Sequence, residues 1–149
     1  MSIAQLCNRN VETANGGETA LEVARRLTAR RVGSVVVVDD QSRPMGILSD
    51  RDIATRLVAA GRDPARTLVT DIMTPMPTTV LESTSVEAAL GHMRTGRLRR
   101  LPVVNGMDQL VGIVTLDDIL RLLAQELSAI EGLIESETPP RAAGVGGST

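Results

Sequence analysis

The chain has 149 residues, with 18 acidic and 16 basic side chains, a net charge of −2, and no Phe, Tyr or Trp. Without aromatic rings to stack bases and without a basic excess to draw in a phosphate backbone, nucleic acid is not an expected partner. All the basic residues are Arg and none is Lys, which rules out Schiff-base lysine chemistry and the P-loop lysine and leaves any phosphate to Arg, backbone amides and helix ends.

In chain order, the opening "MSIAQLCNRNVETA" lacks the basic stretch followed by an apolar run of a secretory signal, and the single Cys7 has no internal disulfide partner. No apolar run approaches the ~18 residues needed to span a membrane. A reduced, cytoplasmic setting with no membrane contact is therefore expected. A short strand over "VETA" leads to a helix announced by Glu18 and Thr19, with Ala20, Val23, Ala24 and Leu27 at helical spacing. The β-branched run Val35 to Val38 reads as a buried strand, "DDQSRP" as a turn, and Met45 to Leu48 as a second strand that runs into a helix near Asp50.

After "GRDPARTLV" the same order returns. A short strand over "TTVL" precedes a helix announced by Ser83, Thr84 and Ser85; a strand covers Leu101 to Val104; "NGMDQ" turns; and Leu110 to Val114 runs into a helix near Leu116. The likeness is one of residues as well as order. "GILSDRDI" at Gly46 to Ile53 is answered by "GIVTLDDI" 66 residues later, Val37 and Val38 fall on Val103 and Val104, and Leu6 falls on Ile72, with no gap needed. The chain divides into repeat 1 at 3–60, a linker at 61–68, repeat 2 at 69–127, a helix extension at 128–137, and a Pro/Gly-rich tail at 138–149 expected to be disordered. A unit of about 60 residues is marginal alone, so the copies are expected to pack through a shared apolar face with approximate two-fold symmetry.

The repeated phrase places Ser49 and Asp52, and Thr115 and Asp118, where a strand becomes a helix. These atoms admit two readings. As a capping box, the hydroxyl accepts from an early helical N–H and the carboxylate reaches back to the cap. As a ligand grip, the helix end and hydroxyl meet a phosphate while the carboxylate accepts from both hydroxyls of a ribose, with Gly46 and Gly112 letting the ligand approach the strand backbone.

With "RRLPVV" at Arg99 to Val104 and "DIMTPMPTTV" at Asp71 to Val80, the duplicated phrase resembles a pair of cystathionine-β-synthase (CBS) domains, the Bateman module, over about residues 3 to 127. The resemblance implies an α/β (α+β) fold of tandem β-α-β-β-α repeats forming one pseudo-two-fold module. It also implies a regulatory unit that binds AMP, ADP, ATP, NAD or S-adenosylmethionine between the repeats, as regulatory ligand rather than catalytic cofactor. Carried over by position, Ser49 and Asp52 would work with Arg99, Arg100 and the segment Thr78, Thr79 and Val80; Thr115 and Asp118 would work with Gly33, Ser34 and Thr13. Two arginines against a glycine and a serine make the Asp52 cleft the expected home of the more highly charged ligand. Repeat 1 opens with "LCNRNVETA" where repeat 2 has "IMTPMPTTV", so it lacks the prolines that stiffen this segment.

Other candidates fit structural roles. His92 is the only histidine and has no partners for a metal site. Arg94 and Arg97 complement a helix end, Arg51 is a solvated first-turn residue, and Met45, Met73 and Met93 fill an aromatic-free core. With one Cys, one His and no Lys, no catalytic constellation is expected, and the chain is not expected to be an enzyme. Leu116, Leu120, Leu123, Leu127, Ile130 and Ile134 step as a heptad stripe. Its early turns are expected to pack on the domain's own sheet and the part from Leu127 onward on a second copy, giving a homodimer that signals to an effector protein. The competing class is a structural dimerisation and interaction module whose repeated phrases are only caps.

Overall fold

Each repeat builds its first helix from a cap that the sequence announces. In the computed structural model, which describes residues 1–75 and 78–137, Thr19 Oγ1 accepts from Glu22 N–H at 3.3 Å while the Glu22 carboxylate accepts from Thr19 N–H at 3.1 Å. This closed capping box starts α1 (Ala20–Arg30). Ser85 Oγ accepts from Ala88 N–H at 3.1 Å and starts α4 (Val86–Gly96). Both helices bury the face their spacing predicts, Ala20, Val23 and Leu27 in one, Ala89 and Met93 in the other. The expected tail at 138–149 lies outside the described residues.

The strands follow in the expected order. β2 (Ser34–Val38) and β3 (Pro44–Ser49) are antiparallel, with β1 (Thr13–Asn15) parallel to β2. In repeat 2, β6 (Arg100–Val104) and β7 (Leu110–Thr115) are antiparallel, with β5 (Val80–Leu81) parallel to β6. The turns match atom for atom: Asp39 Oδ1 accepts from Gln41 and Arg43 N–H, and Asn105 Oδ1 from Met107 and Gln109 N–H. Each turn closes through a residue in the left-handed region, Ser42 at φ 63° and Asp108 at φ 59°. Helix α2 (Asp50–Asp52) continues as a π-helix over Ile53–Val58, and α5 (Leu116–Glu137) follows β7.

Where the expectation was one shared apolar face, the buried side chains form two clusters, each completed by the opening segment of the other repeat. Ile3 belongs to repeat 1 but is fully buried among Leu101, Val103, Val114 and Ile119 of repeat 2. Its equivalent Val69, with Ile72, the equivalent of Leu6, lies in α3 (Val69–Ile72), and both are buried among Val23, Val35 and Leu48 of repeat 1. The backbone pairs likewise: Asn8 bridges Ile113, and Thr74 in β4 (Thr74–Pro75) pairs with Ile47 of β3. A unit of this size cannot close its own core, and reciprocal donation of the opening segments supplies the missing apolar surface to both.

The exchange also corrects the role expected for Gly46 and Gly112. Chain, not ligand, comes close to them. A Cβ added at Gly46 would stand 2.7 Å from Thr74 O and 2.5 Å from Met73 Sδ, and one at Gly112 would stand 3.0 Å from both Asn8 O and Cys7 Sγ. Glycine is required at Gly46 and favoured at Gly112 because chain from the other repeat lies against them, more tightly at Gly46.

The linker at 61–68 is tied down rather than free. Thr67 O accepts from Ala20 N–H at 2.8 Å and Pro64 O from Leu21 N–H at 3.1 Å, so it satisfies donors in the first turn of α1. At the other end, α5 buries Ile119 on the core, while the stripe is already uncovered at Leu120 and Leu123, 52% and 40% exposed. It was expected to be covered as far as Leu127. The core-facing side of α5 is the Leu116 and Ile119 side, the α5 residues that belong to the core of repeat 2.

Candidate functional site

The two Ser/Thr-x-x-Asp phrases sit at corresponding corners, each at the end of a strand that turns directly into a helix. Asp52 Oδ2 accepts from Ser49 N–H at 2.9 Å and from its hydroxyl at 3.0 Å, while Ser49 Oγ accepts from Asp52 N–H at 3.2 Å. In repeat 2, Asp118 Oδ2 accepts from Thr115 N–H at 3.0 Å and Thr115 Oγ1 from Asp118 N–H at 3.1 Å. Both capping boxes are therefore formed. In each, the cap engages one carboxylate oxygen and leaves the other to a single distant arginine: Arg56 Nε is 3.8 Å from Asp52 Oδ1, and Arg121 Nη1 is 3.6 Å from Asp118 Oδ1. An ionised carboxylate has lone pairs for several donors, so capping leaves acceptor capacity for a diol.

Next to each phrase stands the start of the neighbouring strand. Ser34 pairs with Ser49 and Arg100 with Thr115 in the antiparallel ladders. Gly33 O accepts from Asp50 N–H at 2.9 Å, and Arg99 O from Leu116 N–H at 2.8 Å. The two corners meet across the pseudo-two-fold: a Cβ at Gly33 would lie 3.5 Å from both Arg100 Nη2 and Asp50 Oδ2. Both distances are ordinary contacts, so the guanidinium of the other repeat and the Asp50 carboxylate border Gly33 without requiring glycine there. Arg99 instead faces its own repeat, with Nη2 3.9 Å from Asp117 Oδ1. Arg99, Arg100, Thr115, Leu116 and Asp117 line a small polar pocket of about 270 Å³. Its lining carries both signs of charge, two arginines and the Asp117 carboxylate that Arg99 faces, so an anion there would rely chiefly on Arg100.

The opening segments are placed less evenly. Thr79 lines a cleft of about 700 Å³ with Pro44, Met45, Met73 and Pro75 as its apolar wall, and Asp39, Arg43 and Asp108 at its polar end. Ser49 and Asp52 are not among its lining residues; they occupy the far end of β3 from Pro44. Thr78 is exposed, and the Val80 side chain is buried in the core of repeat 2, so only its backbone can face a ligand. Thr13 is exposed, and its carbonyl is taken by Arg26 Nη1 at 2.7 Å.

That arginine also forks onto Glu18, whose carboxyl is held below the usual carboxylate range by the Arg26 hydrogen bonds despite its partial burial. Asp39 is lowered in the same direction, first by the Arg43 N–H it accepts. Sequence reasoning misses Asp50, whose carboxylate borders Gly33 as the Arg100 guanidinium does. The available signal is that the repeat breaks there, Asp50 facing Leu116 in the alignment. Among the described residues, no group of three or more His, Cys, Asp or Glu could hold a metal ion, and no helix is long and apolar enough to cross a membrane.

The chain has clear relatives. The CBS domain profile matches residues 3–59 and 69–125. The CBS domain-containing protein CBSCBSPB2 of Arabidopsis thaliana is 37% identical over 83% of this chain, which spans only 22% of that relative's length. Among solved structures, the CBS domain protein PAE2072 from Pyrobaculum aerophilum complexed with AMP is 32% identical, covers 87% of this chain and 99% of its own, and superposes with a TM-score of 0.75. The CBS domain pair of protein MJ0100 in complex with 5-methylthioadenosine and S-adenosyl-L-methionine is 26% identical, covers 83% and 99%, and has a TM-score of 0.73. The chain thus belongs to the CBS domain family and carries two copies of the domain, paired through exchanged opening segments as a Bateman module.

Proposed function

We propose that this CBS pair is a regulatory, non-enzymatic module of the cytoplasm that binds an adenosyl ligand between its repeats and passes the binding state to an effector protein as a homodimer. The ligand class is AMP, ADP, ATP, NAD or S-adenosylmethionine. Ser49 and Asp52 act with Arg99, Arg100 and the Thr78, Thr79 and Val80 segment, while Thr115 and Asp118 act with Gly33, Ser34 and Thr13. The observation that carries this reading is the pair of half-used carboxylates: each motif Asp gives one oxygen to its cap and keeps the other within reach of no more than a single arginine beyond 3.5 Å. Two solved relatives support the class, since one was crystallised with AMP and the other with 5-methylthioadenosine and S-adenosyl-L-methionine. A ligand moves such a module only through its different affinities for two arrangements of the repeats.

The test is calorimetric titration of AMP, ADP, ATP, NAD and S-adenosylmethionine into the native protein and into Asp52→Ala and Asp118→Ala. Losing a charge-assisted hydrogen bond costs about 1.5–3 kcal/mol, or roughly 10- to 150-fold in affinity. A folded variant that loses affinity by that margin supports the reading. Absence of binding, together with variants that merely melt earlier by about 1 kcal/mol of cap stability, favours the interaction module, for which both formed caps and the exposed α5 stripe already speak.

A further inference from the structure

Helix α5 has 22 residues and α4 has 11, and α5 runs past its neighbour. The two lie side by side in opposite directions. Val86 and Glu87 at the start of α4 line one pocket with Leu123 and Glu126, and Arg94 and Leu98 at its end line another with Leu116. Leu127, Ile130 and Leu133 lie past that overlap, 67%, 53% and 64% exposed. An apolar stripe this long on a surface helix calls for a second surface to cover it.

The second pocket is a groove of about 460 Å³ between α4 and the first turn of α5, with Leu90, Gly91, Met93 and Leu116 in its apolar part and Glu87 and Arg94 as its charged residues. A Cβ at Gly91 would meet no atom within 4 Å, so nothing in the single chain requires this mid-helix glycine, which is destabilising against alanine. The charges differ between the two ends of α5. Within the helix no basic residue follows Arg121, whereas Glu126, Glu131, Glu135 and Glu137 do. At the groove end Arg99 and Arg121 offset Asp117 and Asp118, which leaves Arg94 and Arg97 against Glu87.

We infer that a second copy of the chain fills this groove with the acidic end of its α5, the two α5 helices lying antiparallel. The stripe Leu120, Leu123, Leu127 and Ile130 steps by 3, 4 and 3, the same in both directions, so an antiparallel copy sets Leu120 against Ile130 and Leu123 against Leu127. It also lays each overhang on the half of the other helix that α4 supports, and brings Glu131 and Glu135 toward Arg94. A parallel pair leaves both overhangs without α4 and places Glu126 of each copy opposite Glu131 of the other at the flanking heptad positions. The inference deepens the homodimer of the proposed function and rests on it. Leu116 also lines the pocket of Arg99, Arg100 and Thr115, so the seat of the second copy and that corner share a side chain.

The experiment uses the full chain with Cys7→Ser, so that introduced cysteines are the only thiols. In the antiparallel pair position 120 lies about 15 Å along the axis from its own counterpart, beyond the roughly 7 Å that a disulfide can span. Mixing Leu120→Cys chains with Ile130→Cys chains under mild oxidation is expected to give the mixed disulfide and little of either symmetric one. Symmetric disulfides from each variant alone mean parallel pairing and overturn the inference while the homodimer stands; a dimer that forms neither kind overturns α5 as the contact. Arg94→Glu and Glu135→Arg, both at exposed positions, are each expected to weaken the dimer about three- to fivefold by sedimentation, and the two together to regain most of that loss. Unchanged dissociation in Arg94→Glu overturns the groove as the seat. A native chain that is monomeric at every concentration overturns the homodimer and this inference with it.

Discussion

Replacing Gly46 with Ala tests whether the repeated glycines exist for the crossing chain. The new Cβ would stand 2.7 Å from Thr74 O, a backbone atom of β4 held in register against β3, and 2.5 Å from the sulfur of Met73, which is itself 9% exposed in the core. Ordinary contact begins at 3.4 Å, so β4 has to move by several tenths of an ångström and cannot do so without disturbing its pairing. Overpacking of this kind costs about 1–3 kcal/mol, and the backbone contact places Gly46 at the upper end. The smaller unfolded-state entropy of alanine returns about 0.4–1 kcal/mol. The net loss of roughly 2–3 kcal/mol corresponds to a melting temperature lower by about 5–10 °C for a chain of this size. At Gly112 the nearest atoms are 3.0 Å away and one is a cysteine sulfur, so Gly112→Ala is expected to lose about 1 kcal/mol or less. Thermal unfolding by circular dichroism measures both. Gly46→Ala melting at or above the native temperature, or Gly112→Ala melting below Gly46→Ala, refutes the reasoning. If the glycines served a ligand instead, neither variant would move the melting temperature and both would weaken binding.

Two other outcomes follow from the packing. Ile3→Ala removes a fully buried side chain from the core of the other repeat. It is expected to cost about 2–5 kcal/mol and to lower amide exchange protection in β6 and β7 before β2 and β3; the reverse order would show that the opening segment belongs to its own repeat. The native chain is expected to be a dimer by light scattering through the α5 stripe of Leu120, Leu123, Leu127 and Ile130, all exposed in the single chain. Leu127→Glu is expected to weaken the dimer about tenfold or more, since a buried unpaired charge is costly. A native monomer at every concentration removes the stripe as the dimer contact.

Much of this molecule was legible in the residues because the deciding interactions are short. The Thr19, Ser49, Ser85 and Thr115 caps each involve atoms three residues apart, and the Asp39 and Asn105 turns close within four. Helical spacing and β-branched runs then place α1, β2, α4 and β6. Together with the 66-residue self-match, these local signals determined the element order, the duplication and the family resemblance. What they could not determine is which copy a segment packs on, since a duplicated sequence is equally consistent with Ile3 covering its own sheet or its twin's. Tertiary structure decided that exchange, and with it the purpose of Gly46 and Gly112. It also decided the approach of Arg100 and Asp50 to Gly33 and the uncovering of α5 from Leu120. The exchange and the approach to Gly33 depend on how two similar halves face one another, and no local pattern encodes that.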